Sequence, residues 1–398
     1  MSDPPVILFG AFDRHNFGDL LLGEIAASVL QDRPLVFAGL AERDLTAFGG
    51  RKVRAIAEVA REWGEQPADV VHTGGEILTC SLYEAAVMLL PPQAAGKAIA
   101  GHDRDPAARR AWSEELLGLR QQVAYLVPRS LFRRPRNFRY CGIGGVELAT
   151  LPVPMRREVF ANLRHASHLW VRDRVTQVLL EQAGIPGVLA PDPAAATARL
   201  CGSRIAGHRV DGEPAAVAAR FPRGYLAVQF SAEFGDDATL REIARQLLKV
   251  QRETRLGIVL FRAGAAPWHD DPDAYRRLLA ATPALAAVVF ASLELWDICA
   301  LLANATAYCG SSLHGRIVAE ACGRPAVNLV RDAGRMTKQA AHALGWGYGS
   351  RPTVLAPADL AMGVTGVLRQ KTAAFDAHVD NLATLALAAF AAGSLPES

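Results

Sequence analysis

The chain has 398 residues, 51% of them hydrophobic and 7% aromatic, and its 43 Lys and Arg against 40 Asp and Glu leave a net charge of +3. That balance excludes a disordered or low-complexity chain and a protein built on broad nucleic-acid contact. At roughly 100–200 residues per domain the length predicts two domains, each large enough for its own core, with the cleft between them as the first place to look for chemistry.

The N-terminus passes straight into the apolar run Val6–Phe9, without the basic start and apolar stretch of a signal peptide, so a cytoplasmic protein is expected. Short apolar or β-branched runs then alternate with longer helical patterns, which argues for a parallel sheet flanked by helices. The predicted strands are Val6–Phe9, Pro34–Ala38, Val70–His72, Tyr140–Ile143, His168–Val171 and Gly187–Leu189, with helices over Gly18–Gln31, Pro106–Gln122 and Thr176–Ala183. From Arg199 to Arg223 the sequence is rich in Gly, Pro and Ala with little periodicity and reads as a linker.

A second alternating set follows. Its strands are Tyr225–Phe230, Gly257–Phe261, Val288–Phe290, Ala307–Cys309 and Ala326–Leu329, and its helices Ala238–Thr254, Pro272–Ala281, Leu295–Ala303 and Leu313–Cys322. The expected fold class is α/β with two Rossmann-like domains, residues 1–200 and 223–350, and a helical tail over 357–392 that crosses back to the first domain. The longest nearly uncharged segment of the tail, Leu382–Gly393, is well short of the ~20 residues of a spanning helix. Six single cysteines, at 80, 141, 201, 299, 309 and 322, form no CxxC pair and read as small core residues in a reducing compartment.

In open parallel sheets ligands lie beyond the carboxyl ends of the strands, where loops enter helix N-termini. Five such segments stand out. The first is the loop from Gly10 to Asp19, where Asn16, Gly18 and Asp19 are either turn and cap chemistry or the wall of a sugar or phosphate pocket, with Asp13 beside them. The second is His72-Thr-Gly-Gly-Glu76, where Gly74 and Gly75 allow close backbone approach or simply turn the chain. No GxxxxGK[ST] occurs, so a P-loop nucleotide site is not supported. The third is the glycine turn at Gly142 and Gly144. The fourth is Val171-Arg172-Asp173 with Pro191-Asp192-Pro193, in which Arg172 clamps a phosphate or carboxylate or else forms a structural ion pair with Asp173 or Asp192.

The fifth is Gly310-Ser-Ser-Leu-His314-Gly-Arg316, closed by Gly323 and Pro325. Ser311 or Ser312 caps a helix, His314 lies in its first turn, and the helix N-terminus favours anions. Further along, His269-Asp-Asp-Pro-Asp273 has only a superficial likeness to a metal site. Capping explains its aspartates, and His269 is placed to line the cleft. No metal ligand set is assigned.

In this order and spacing the five segments resemble the polysaccharide pyruvyl transferase family, over most of the chain from Gly10 to Leu329. Its landmarks here are Asn-Phe-Gly-Asp at 16–19, the Gly-Gly and Gly-Ile-Gly turns at 74–75 and 142–144, Val-Arg-Asp at 171–173 with Pro-Asp-Pro at 191–193, and Ser-Ser-Leu-His at 311–314 with Gly-Arg-Pro at 323–325. The resemblance implies a GT-B-like fold and transfer of pyruvate from phosphoenolpyruvate to a sugar of a glycan or lipid-linked saccharide, as a ketal, with no cofactor. It also implies His314 as the leading catalytic residue and Arg172 on the donor, and the ketal chemistry itself asks for a general acid and a base for the sugar hydroxyl, for which His314 with Asp19 or Asp13 are candidates.

One departure stands out. The family pattern reads Ser-Arg-Leu-His, and here Ser312 holds the Arg position. Arg316 lies about 200° further around the helix, and Arg331, Arg335 and Lys338 are other sources of positive charge. The alternatives are therefore a GT-B glycosyltransferase using a nucleotide-sugar donor, or a relative without catalytic activity. The basic run Arg129, Arg133, Arg134, Arg136 and Arg139, with Phe132 and Phe138 interleaved, is read as a loop that is either a solvated face or a contact with anionic lipid at the inner face of a membrane.

Overall fold

The computed structural model describes residues 5–350 and 352–393. The chain divides into two compact units, one reaching Pro193 and resuming at Leu385, the other spanning Ala194–Thr384. Both are α/β units, and the strand order of each is what positions a site.

The first unit contains β1 (Val6–Phe9), β2 (Leu35–Gly39), β3 (Arg43–Asp44), β4 (Lys52–Ala55), β5 (Ala68–Gly75), β6 (Pro135–Ile143), β7 (His168–Val171) and β8 (Val188–Leu189). They form one sheet in the order β3-β4-β2-β1-β5-β6-β7-β8, parallel except for the β3–β4 pair. Strands such as Val6–Phe9 are buried along their whole length, as expected where helices cover both faces of a parallel sheet. From β1 the chain builds outward through β2 and β4, then returns to lay β5 on the other side of β1. The loops after β1 and β5 therefore leave in opposite directions and open a crevice.

The second unit repeats the device with β9 (Tyr225–Gln229), β10 (Gly257–Leu260), β11 (Ala287–Val289), β12 (Ala307–Gly310), β13 (Ala326–Leu329) and β14 (Val354–Leu355). The order is β11-β10-β9-β12-β13-β14, all parallel, so the reversal falls between β9 and β12. Its helices follow local rules. Asp236 caps Asp237–Thr254, which buries Leu240, Ile243, Leu247 and Val250 along one stripe, and Asp271 caps Pro272–Ala281 with proline in the first turn.

Residues 199–223 are not a linker. They form the helices Thr197–Arg209 and Gly212–Arg220, which pack against helix Leu295–Asn304 and bury Cys201, Ile205, Pro214 and Val217. Exposed Ala and Gly residues between these few buried anchors, with open space around Gly202 and Gly207, dilute the hydrophobic period there. The arginine-rich segment is likewise not all loop, because β6 begins at Pro135 and buries Phe138 and Arg139, while Phe132 packs in the same core. Arg136 pairs with Asp69, and Arg139 donates to the Gly393 carbonyl. The aromatic half of the lipid-contact reading is thus interior.

β3, β4 and β14 gave no sequence signal, since two are two residues long and β4 reads Lys-Val-Arg-Ala with alternate residues exposed. The tail forms helices Leu360–Leu368 and Ala373–Ala392. Near its end Phe390 stacks edge-to-face on Trp170 with centroids 5.0 Å apart. Among the described residues no helix is long and apolar enough to cross a membrane.

Candidate functional site

At the reversal of the first unit, the loop after β1 faces the Gly74–Gly75 turn that ends β5. The Asn16 side chain accepts from the amides of Gly18 at 3.0 Å and Asp19 at 3.5 Å, capping helix Phe17–Val29, so the cap reading of Asn16 holds. Asp13 is a fastening. Its buried carboxylate accepts from Leu40 N at 2.5 Å, Ala41 N at 3.2 Å and the Tyr125 hydroxyl at 3.3 Å, tying the loops after β1 and β2 together. Burial pushes its pKa up, against the pull of Arg14 and of those amides.

Asp19 and Arg14 lie at this reversal, on the start of helix Phe17–Val29 and the loop before it. Their nearest approach is 3.5 Å, with Arg14 10% and Asp19 15% exposed. The Arg14 guanidinium also donates to the Tyr125 hydroxyl and lies 5.0 Å above that ring. Opposite, Gly74 and Gly75 have φ of +20° and +88°, and a Cβ on Gly75 would sit 3.4 Å from Asp19 Oδ1. Glycine is needed here for the backbone conformation, which brings the chain close to the carboxylate. His72 is structural, since its Nε2 accepts from Val127 N at 3.1 Å and its Nδ1 donates to the Arg139 carbonyl at 3.2 Å. Burial lowers its pKa to about 3, which keeps the ring neutral.

Arg172, at the end of β7, is engaged on two sides. It donates to Asp192 Oδ2 at 2.9 Å and Glu76 Oε2 at 2.6 Å, and is itself 4% exposed. The other oxygen of Glu76 accepts from Val146 N at 2.7 Å, so the ion pair pins the turn after β6. A Cβ on Gly144 would come within 2.6 Å of both Arg172 Nε and Glu76 Oε2, which explains glycine at that position. Of the two readings of Arg172, this geometry is the ion pair with Asp192, joined by Glu76. Asp173 instead caps helix Arg174–Gln182.

In the second unit the reversal places the ends of β9 and β12 side by side, and a polar network knits them. Gln229 Oε1 accepts from Ser312 N at 2.8 Å, the Tyr308 hydroxyl at 3.3 Å and Ser311 Oγ at 3.4 Å. Gln229 Nε2 donates to Asp270 Oδ1 at 2.7 Å, which orients the amide. Asp270 Oδ2 accepts from Ala263 N at 2.5 Å and Gly264 N at 3.3 Å. Burial nonetheless pushes the pKa of Asp270 up to about 7. Ser311 Oγ accepts from Ser231 N at 3.0 Å, and its carbonyl from Gln339 Nε2 at 2.7 Å.

Ser312, not Ser311, caps helix Leu313–Ala321, accepting from Gly315 N at 3.1 Å, and half-buried His314 lies in the first turn. Arg316 is fully buried. It pairs with Glu320 at 3.0 Å and points its Nη1 at the Thr353 carbonyl at 3.5 Å, so it does not replace the missing arginine. Arg331 is exposed and bonded to Asp236 at 2.6 Å and Thr239 at 2.7 Å, and Lys338 is exposed at the start of helix Lys338–Trp346. His269 meets the Pro267 carbonyl through Nδ1 at 3.1 Å and packs over Gly264, beside Asp270.

Sequence reasoning missed Arg14, Gln229, Ser231 and Gln339, and it read Asp270 as a cap, whereas Asp271 caps the helix and Asp270 holds Gln229. Gln229 carried a usable signal, a lone amide inside the apolar run Tyr225–Phe230, where a buried polar group requires partners. Elsewhere, His208, Glu294 and Asp297 bring ligand atoms within 4.8 Å of one another, and a 2.7 Å hydrogen bond from His208 to Asp297 accounts for that grouping without an ion.

Residues 150–332 match the model of the polysaccharide pyruvyl transferase family, the family that the motifs resemble. The span holds Arg172, Asp192 and the Ser311–His314 turn, and leaves the loops at 10–19 and 72–76 outside it. No curated protein matches the chain. Among solved structures, the UDP-N-acetylglucosamine 2-epimerase from Rickettsia bellii is similar at 10% identity and a TM-score of 0.54, covering 98% of this chain and 96% of that one. The UDP-GlcNAc 2-epimerase from Neisseria meningitidis, bound to UDP-GlcNAc, gives 9% and 0.54 with 98% and 99% covered. Anabaena Alr3699/HepE in complex with UDP-glucose gives 13% and 0.52 with 98% and 97% covered. At such identities the likeness is one of fold, and it places the two units in the GT-B-like class.

Proposed function

We propose that this chain is a transferase that moves the pyruvyl group of phosphoenolpyruvate onto two hydroxyls of a sugar in a glycan or lipid-linked precursor, working in the cytoplasm without a further cofactor. The observation that carries this reading is the Ser311–His314 turn. It sits at the strand reversal of the second unit, with a helix N-terminus and an imidazole in the same turn, inside the span that matches the family.

The chemistry needs a proton delivered to the methylene carbon of phosphoenolpyruvate, positive charge tolerated at its C2, and two sugar hydroxyls attacking that carbon as phosphate departs. One hydroxyl proton replaces the proton given to the methylene and the other leaves with phosphate, so the balance is a ketal plus inorganic phosphate. His314 is assigned proton delivery and return, because an imidazole works as both acid and base near neutral pH. Donors at the helix start receive the phosphate or carboxylate.

The test is phosphate release from phosphoenolpyruvate in the presence of a glycan acceptor, together with thermal stabilisation by the donor. Wild type is expected to be stabilised by phosphoenolpyruvate and to release phosphate, and His314→Ala to lose turnover by about 100-fold or more while remaining folded. Unchanged turnover in His314→Ala would overturn the assignment. Ser312 in the family's arginine position favours a second reading, a nucleotide-sugar glycosyltransferase. Stabilisation by UDP-glucose with none from phosphoenolpyruvate would select it.

A further inference from the structure

The ion pairs that buried carboxylates of the first unit make differ in how tightly they close, and Asp69, 3.9 Å from Arg33, is closed instead by Arg136. Arg51 holds Glu24 with bonds of 2.6 and 2.8 Å, and Arg172 holds Glu76 and Asp192 at 2.6 and 2.9 Å. Arg14 and Asp19 stop at 3.5 Å. Among the described residues, Arg14 Nε is buried without an acceptor, and the 3.5 Å contact with Arg14 is the one side-chain bond Asp19 makes, through Oδ2. A charged group left half-satisfied at such burial is costly unless something completes its hydrogen bonds.

The position of this open pair is informative. It lies between the loops after β1 and β5, where the strand order reverses, and the Gly75 backbone closes on Asp19 Oδ1 from the other side. A carboxylate with a spare acceptor beside a guanidinium with spare donors matches a ligand whose neighbouring oxygens both donate and accept, which is the chemistry of a sugar diol. A phosphate fits less well, because Asp19 faces it with like charge.

We infer that Arg14 and Asp19 form a clamp for the neighbouring hydroxyls of the acceptor sugar, Asp19 accepting from one and Arg14 donating to the next. This inference rests on the proposed sugar-modifying activity and extends it to the acceptor. Arg14 lies outside every landmark of the family pattern, so the clamp is a feature of this chain's own loop.

The probes are methyl glycosides of galactose, glucose and mannose, titrated by saturation-transfer NMR in the absence of phosphoenolpyruvate. Tetrahydropyran-2-methanol, which lacks a diol, and inorganic phosphate serve as controls. At least one glycoside is expected to bind, and Asp19→Asn and Arg14→Lys each to weaken it about tenfold or more, the loss of one charge-assisted hydrogen bond. Unchanged melting temperatures in both variants establish that the fold is retained, and a conservative lysine that rescues nothing separates the fork geometry from charge alone. Equal glycoside binding in wild type and both variants overturns the clamp. So does phosphate binding lost in Asp19→Asn or Arg14→Lys with no glycoside binding, or binding of the diol-free ether as tight as that of the sugars. Phosphoenolpyruvate is left out, so failure of the donor reading leaves this titration standing and failure here leaves donor binding untouched.

Discussion

Arg172 and Arg14 sit in the same unit, each buried, each beside a glycine turn at the carboxyl end of a strand, and they differ in how completely they are bonded. Arg172 is enclosed by two carboxylates, one of which also receives a backbone amide. Arg14 has a phenol, a ring face and one carboxylate at a distance. A strand-end arginine is therefore not a ligand site by position alone. What separates a girder from a binding group is the hydrogen-bond capacity that remains after folding, because a saturated guanidinium gains little from a ligand while an unsaturated one gains a bond it lacks.

The largest expected effect tests that contrast directly. Arg172→Ala leaves the Asp192 and Glu76 carboxylates without their cation and is expected to cost roughly 3–5 kcal/mol of unfolding free energy by urea titration. Arg14→Met is expected to cost clearly less in the same measurement. Equal losses would break the comparison, and a stable Arg172→Ala protein that had lost donor binding would return Arg172 to the ligand.

An intermediate effect concerns the second unit, where the network around Gln229 contains one poised acid. Asp270 has a folded pKa of about 7, raised by burial from 3.8. A raised acid pKa means the folded state holds the proton more tightly than the unfolded chain. Its contribution to stability is full below about 4 and fades as pH climbs to 7. Asp270→Asn removes this titration, so the stability gap between wild type and variant should be larger at pH 5 than at pH 8. A gap independent of pH would show that the carboxyl stays ionised. The smallest effects are the caps. Asn16→Ala and Ser312→Ala are each expected to lower stability by about 1 kcal/mol, and a much larger loss at Ser312 would show that the cap also anchors the Gln229 network.

Much of the fold was legible because its signals are local. The apolar runs Val6–Phe9, His168–Val171 and Ala326–Leu329 are strands with the expected bounds, and Pro272–Ala281 is a helix because Asp271 and Pro272 announce its start. The helices over 197–220 were illegible because exposed alanines and glycines separate their few buried anchors, Cys201, Ile205, Pro214 and Val217, and dilute the apolar period. Arg136 and Arg139 looked like a surface loop, and only partners distant in sequence show otherwise, the buried Asp69 that holds exposed Arg136 and the Gly393 carbonyl that receives buried Arg139.

The candidate site divides in the same way. The Ser311–His314 turn, the glycines at 74, 75 and 144 and the Asn16 cap could be read directly, since a strand end, a positive φ and a helix start are properties of a few neighbouring residues. That Arg316 turns inward to Glu320, that Asp13 fastens a loop, that Gln229 and Asp270 organise the helix start, and that Arg14 and Asp19 stop short of closing were decided by tertiary structure. Hydrogen-bond saturation depends on which partners the fold brings within about 3 Å, and those partners come from anywhere in the chain.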